Sequence, residues 1–237
     1  MERAWLSHVP AVRWERHYDR VVRCFAERPR NAYDLLAEAA ARNPDGEALV
    51  CGTERLSYRS FESTVARCAA SLAAAGIAAG DRVALLLGNG IAFPVVMFAA
   101  LRLGAIAVPL STREQTEGLG YMLAHSGAKL LVHDADLADR LPQASATPAL
   151  ARRVAVAPDA PWTALSLLAS VPGAAPAVPH EEDTAIILYT SGTTGRPKGA
   201  MLAHLGICHS AMHYEYCMGL TARDRALVAV PMATSPA

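Results

Sequence analysis

Between Val83 and Leu110 the chain carries a single charge, Arg102, and no other stretch constrains the fold as tightly. An unbroken apolar run of that length would be long enough to cross a bilayer. Gly88, Asn89, Gly90 and Pro94 break it into pieces too short to do so. The pieces read as a strand over 82–87, a helix over 93–103 and a second strand over 105–108. A strand that is apolar at successive rather than alternate positions has both faces covered, as in a parallel sheet.

The flanking sequence extends the same alternation. A helix over 31–42 is stopped by Asn43-Pro44-Asp45-Gly46, and strand-like runs at 47–51 and 55–58 bracket a Gly52-Thr53 hairpin turn. A helix over 60–75 closes at Gly76, and a helix over 113–125 and a strand over 129–133 follow 105–108. The βαβαβ order predicts an α/β fold, with parallel sheets covered by helices and right-handed crossovers.

Composition narrows the function classes. The chain has 237 residues, 52% of them hydrophobic and 19% charged, enough for a buried core. Disorder is excluded on that balance. Lys and Arg number 22 and so do Asp and Glu, which argues against a nucleic-acid-binding surface spread over the protein. The five cysteines are an odd number with no Cys-x-x-Cys pair, as for free thiols in a reducing, cytoplasmic setting. No transmembrane segment is expected. Seven arginines fall within residues 1–30, which read as a loosely attached N-terminal extension. Trp5 and Trp14 interleave with them, leaving room for weak peripheral contact with a membrane surface. Residues 142–180 contain seven prolines and read as a surface connection with a short strand at 153–156 and a helix at 163–169.

An apolar strand at 185–188 then delivers Tyr189-Thr190-Ser191-Gly192-Thr193-Thr194-Gly195-Arg196-Pro197-Lys198-Gly199. Hydroxyl side chains and unshielded backbone N–H groups are what a polyphosphate needs, and Gly192 and Gly195 permit the positive φ angles of an anion-binding nest. Lys198 adds a mobile point charge that can follow a leaving phosphate. The loop is not of the Gly-x4-Gly-Lys-Ser/Thr kind, because Pro197 and Gly199 flank the lysine and favour a hairpin between strands. Downstream, His209, His213 and Cys217 recur at i, i+4 and i+8, a spacing open to a metal but expected simply to pack a helix on the sheet.

At these residues the sequence resembles the adenylate-forming superfamily of acyl-CoA synthetases, peptide-synthetase adenylation domains and luciferases. Tyr189 to Gly199 is similar to that family's phosphate signature at each defining position, with His204 where the signature's trailing histidine lies. Leu56-Ser57-Tyr58-Arg59-Ser60-Phe61 resembles an early family element, with Phe61 in place of leucine. Residues 100–110 resemble the Gly-Ala-x-x-x-Pro element, and 121–129 look like the acyl-CoA synthetase branch. The resemblance covers the chain from about Asn31 onward and implies a two-step ligase using ATP, Mg2+ and CoA on a small carboxylic acid of the fatty or aryl kind. It further implies that Thr190, Ser191, Gly192, Thr193, Thr194 and Gly195 cradle the β- and γ-phosphates. Ser191 would lie near the Mg2+, and Lys198 would steady the departing pyrophosphate.

On this reading 31–237 is the N-terminal portion of an AMP-binding domain, and the family's later motifs and C-terminal domain are absent. The residues after Met232 depart from the family pattern. Ala233-Thr234-Ser235-Pro236-Ala237 can be encoded so that one restored base gives Ser or Gly, then His-Val-Thr-Gly, and a one-base deletion is therefore expected at that point. The rival expectation is an inactive remnant retaining at most weak nucleotide binding.

Overall fold

The computed structural model describes residues 10–157, 175–190 and 196–233. Its centre is a six-stranded sheet. In chain order these strands are β5 (Arg82–Leu86), β6 (Ile106–Pro109), β7 (Leu130–Asp134), β8 (Arg152–Val156), β9 (Thr184–Thr190) and β10 (Lys198–Ala203). Their spatial order is β10-β9-β6-β5-β7-β8. The pairings from β9 through β8 are parallel, as the apolar runs predict, and β10 returns antiparallel to β9 with Lys198 opposite Thr190. The sheet is therefore mixed at one edge. The helix expected at 163–169 lies outside the described residues.

Strand β5 shows why the run had to be apolar throughout. Val83 and Leu85 enter a core with α2 (Tyr58–Ala74) and α3 (Ala92–Arg102), and Ala84 and Leu86 enter a second core with α4 (Thr116–Ser126). All four are buried. Each large aliphatic side chain buried this way contributes roughly 1.5–3 kcal/mol. Arg102, the one charge in the stretch, sits at the end of α3. Its guanidinium donates to Glu62 Oε1 at 3.0 Å and to the Tyr33 hydroxyl, while that hydroxyl donates to Glu62 at 2.6 Å. Burial, reinforced by Glu62, raises the Tyr33 pKa.

Local chemistry sets the helix ends. Ser57 caps α2 by accepting from the Ser60 amide at 3.2 Å. Helix α4 ends at Gly127 with φ of 61°. There Arg82 donates to the carbonyls of Ser126 and Gly127 at 2.7 and 2.8 Å. A Cβ on Gly127 would stand 2.5 Å from Arg82 Nη2, so both the positive φ and that guanidinium call for glycine.

The beginning of the chain departs from expectation. Instead of a loose extension, β1 (Val12–His17) and β2 (Arg20–Phe25) form an antiparallel hairpin fixed to the body. Arg28, its side chain 2% exposed, donates to Glu15 at 2.9 and 2.7 Å and to Glu181 at 2.6 Å. Phe25 stacks on His209 of α5 (His204–Met218) at 4.9 Å, with His213 and Tyr216 also against its ring. The i, i+4 face of α5 is thus a packing face for an aromatic anchor. An arginine count registers charge but not that one arginine is buried between two carboxylates.

Candidate nucleotide-phosphate site

Strands β9 and β10 deliver the two arms of the glycine- and hydroxyl-rich loop. Thr190 ends one arm and Lys198 begins the other, directly opposite in the ladder, and both are exposed. Ser191, Gly192, Thr193, Thr194 and Gly195 lie outside the described residues. The hairpin geometry read from Pro197 and Gly199 is present. The ammonium of Lys198 has no ion-pair partner among the described residues, which leaves its charge open to a ligand. Gly199 is required by close approach: a Cβ there would fall 2.9 Å from Ile187 Cγ2 and 3.4 Å from Tyr189 Cζ.

Helix α4 holds both arms. The Tyr189 hydroxyl donates to the Met122 carbonyl at 3.1 Å and lies 2.8 Å from His125 Nδ1, which donates to it in that arrangement. Burial raises the Tyr189 pKa, keeping the hydroxyl protonated as that donation requires. On the other arm, the Arg196 guanidinium lies 5.2 Å from the Tyr121 ring centre, and Tyr121 stacks on His125 at 5.3 Å. One turn of α4, through Tyr121 and His125, therefore supports the residues entering and leaving the loop. Sequence reasoning did not single these two out. Their i, i+4 spacing on α4 was visible, but the register with β9 was not.

His204 is positioned for a different task from phosphate contact. It is 1% exposed, its Nδ1 accepts from the Ala32 amide at 3.0 Å, and its own amide donates to the Asp183 carbonyl at 3.1 Å. Burial lowers its pKa, so the ring sits neutral with the Nε2–H tautomer. It ties the start of α5 to the approach to α1 (Asp34–Arg42).

A cleft of about 1250 Å³ opens between α1, the β3–β4 hairpin (Glu47–Cys51 and Glu54–Ser57), the turn after β5 and residues 220–232. Asn89 spans part of its rim, donating to the Val230 carbonyl at 2.8 Å and accepting from the Met232 amide at 2.9 Å. Neither Thr190 nor Lys198 lines it.

A family model of AMP-binding enzymes matches residues 36–235. The chain belongs to the AMP-binding enzyme family. It is 36% identical over 183 residues to a long-chain-fatty-acid–CoA ligase, FadD13, of Mycobacterium tuberculosis, covering 75% of this chain and 35% of that protein. It is 35% identical over 197 residues to a feruloyl-CoA synthase of an Amycolatopsis species, covering 81% and 37%. The fold is similar to the crystal structure of a putative long-chain-fatty-acid CoA ligase from Rhodopseudomonas palustris, with TM-score 0.75 and 25% identity over 86% of this chain and 52% of that one. This AMP-binding chain thus spans little more than a third of the length of the curated relatives it matches. The β1–β2 hairpin precedes the matched span.

Proposed function

We propose that this chain forms the ATP-phosphate side of an AMP-forming acid–CoA ligase, acting in the cytoplasm on a fatty or aryl carboxylic acid. The observation that carries the reading is the β9–β10 hairpin: it presents Thr190 and Lys198, whose ammonium has no ion-pair partner among the described residues, at the two ends of a run of hydroxyl and glycine residues, within a family-matched α/β fold. The names of the relatives, one for a long-chain fatty acid and one for feruloyl-CoA, support the two acid classes equally.

In the first step a carboxylate oxygen attacks the α-phosphorus of ATP, and the bond to the bridging oxygen breaks to release pyrophosphate. Thr190, Ser191, Gly192, Thr193, Thr194 and Gly195 supply hydroxyl and amide donors to the β- and γ-phosphates. Lys198 meets the charge that grows on pyrophosphate as it leaves. A Mg2+ ion bound near Ser191 would supply further neutralisation of the phosphate oxygens, for which a hydroxyl among phosphates is a suitable hard donor. In the second step the thiol of CoA attacks the acyl carbonyl and AMP departs. No residue of this chain is assigned to CoA. Weak peripheral contact of the chain's beginning with a membrane surface is part of the same reading. Among the described residues no helix is long and apolar enough to cross a membrane.

Exchange of labelled pyrophosphate into ATP, run with a panel of fatty and aryl acids, tests the reading. Carboxylate-dependent exchange supports it. Mg-ATP binding without exchange for any acid would overturn catalysis by this chain in favour of a nucleotide-binding remnant.

A further inference from the structure

The β1–β2 hairpin has two unlike faces. One is buried against the body: Glu15, His17 and Cys24 lie on it, held by Arg28 and by Glu182, whose carboxylate is 3.0 Å from His17 Nδ1. The other face, past the Phe25 anchor, is exposed among the described residues. Across it the ladder pairs Trp14 with Arg23 and Arg16 with Val21, so each cross-strand pair joins an apolar side chain to an arginine. Trp14 is 71% exposed and Val21 63%, and both arginines are exposed. At the turn, Tyr18, with φ of 52°, is tied back to Glu182, its hydroxyl donating to the Glu182 carbonyl at 3.0 Å, and Arg20 pairs across the ladder with His17 on the first face.

Charge decides what such a face can meet. Arg16 and Arg23 have no ion-pair partner among the described residues, and Arg16 donates to the Tyr18 carbonyl at 3.4 Å. Glu15 points to the other face, where Arg28 and Arg13 bind it. Two exposed apolar side chains, each paired across the strands with a guanidinium, on a ribbon fixed at its base, match the boundary between anionic headgroups and acyl chains. A nucleic acid would leave Val21 without a partner and would be drawn by a wider basic field than this neutral chain offers.

We propose that the outer face of the β1–β2 hairpin, through Trp14, Arg16, Val21 and Arg23, docks the protein on an anionic lipid bilayer. The assignment rests on the peripheral-contact part of the reading above and not on the ligase chemistry. It gives a purpose to a hairpin that lies outside the span shared with the AMP-binding family.

Co-sedimentation of the full chain with vesicles of phosphatidylcholine, alone or with about a third phosphatidylglycerol, tests it. Each arginine near an anionic surface contributes roughly a fivefold gain in partitioning. The parent should therefore prefer the anionic vesicles, and the Arg16→Glu/Arg23→Glu variant should lose at least about 25-fold. Arg16→Lys/Arg23→Lys should retain binding, and Trp14→Ala/Val21→Ser should weaken it on anionic vesicles. These side chains are exposed, so thermal melts should match the parent, which separates lost docking from lost folding. With Trp5 and Trp162 replaced by Phe, Trp14 emission should shift to the blue on anionic vesicles only. Failure of the parent to bind either vesicle overturns peripheral contact altogether. Parent binding that both face variants retain overturns this face while leaving peripheral contact standing. Tighter binding to single-stranded DNA than to anionic vesicles would reassign the face. Pyrophosphate exchange is untouched by any of these outcomes.

Discussion

Replacing Arg28 by methionine removes a buried cation that joins the hairpin to the loop leading into β9. Its guanidinium is 2% exposed and donates to Glu15, to Glu181 and to the Phe25 carbonyl at 2.6 Å. Methionine fills much of the volume but leaves two partly buried carboxylates, 18% and 15% exposed, facing each other. Breaking a buried pair from one side costs about 3–5 kcal/mol. Glu15 keeps Arg13 and Glu181 keeps Arg30, which places the loss near about 3 kcal/mol, or roughly 150-fold in the closed-to-open equilibrium of the hairpin. Amide hydrogen exchange across β2 reads this directly. The variant should exchange some two orders of magnitude faster there while β5 and β7 remain protected. Glu15→Gln/Arg28→Met/Glu181→Gln should recover much of the protection, because the cost is stranded charge rather than lost contact. The pH dependence has a definite sign. Arg28 first, and Arg13 after it, hold the Glu15 carboxyl far below the ordinary range. The stabilisation is therefore complete above the unfolded carboxyl's pKa of about 4.3 and is lost as pH falls below it. Exchange in β2 of Arg28→Met within threefold of the parent at pH 7 would refute the reasoning.

Gly199→Ala drives a methyl group to 2.9 Å from Ile187 Cγ2; a denaturant melt should show about 1–3 kcal/mol of destabilisation, as for overpacking. Tyr189→Phe and His125→Ala should each weaken Mg-ATP binding about 2- to 10-fold, the worth of a hydrogen bond, and calorimetric titration of the double variant should show less than the sum because both act through the same hydroxyl. His204→Ala leaves the Ala32 amide unpaired and should cost about 1–3 kcal/mol in a melt, before any cavity term. Because burial lowers the His204 pKa, the parent loses stability as pH falls below the unfolded value of about 6.5, and the variant should lack that component.

Much of the central fold was legible because its signals are local. The successive apolar positions of β5, the Gly76 helix end and the Gly52-Thr53 turn each follow from one stretch of sequence. The hairpin between Thr190 and Lys198 followed from Pro197 and Gly199 in the same way. What stayed hidden depends on distant partners. Arg28 meets Glu181 across 153 positions and His204 meets Ala32 across 172, and no periodicity records such pairs. The N-terminal strands were missed because Arg13, Arg16, Arg20 and Arg23 mask a two-residue alternation whose buried members, Glu15, His17 and Cys24, are polar or small. The supports of the phosphate loop, Tyr121 and His125, were visible as residues but gained meaning only when the sheet order brought α4 beside β9.

Titration of the chain with Mg2+ and the non-hydrolysable β,γ-imido analogue of ATP, with AMP in parallel, tests the central claim about the β9–β10 loop. A charge-assisted hydrogen bond contributes about 1.5–3 kcal/mol. Lys198→Ala should therefore weaken the triphosphate analogue by about 10- to 150-fold and leave AMP, which lacks the β- and γ-phosphates, unchanged. Equal affinity of parent and variant for the analogue, or equal loss for the analogue and AMP, would contradict the assignment of this loop to the phosphates.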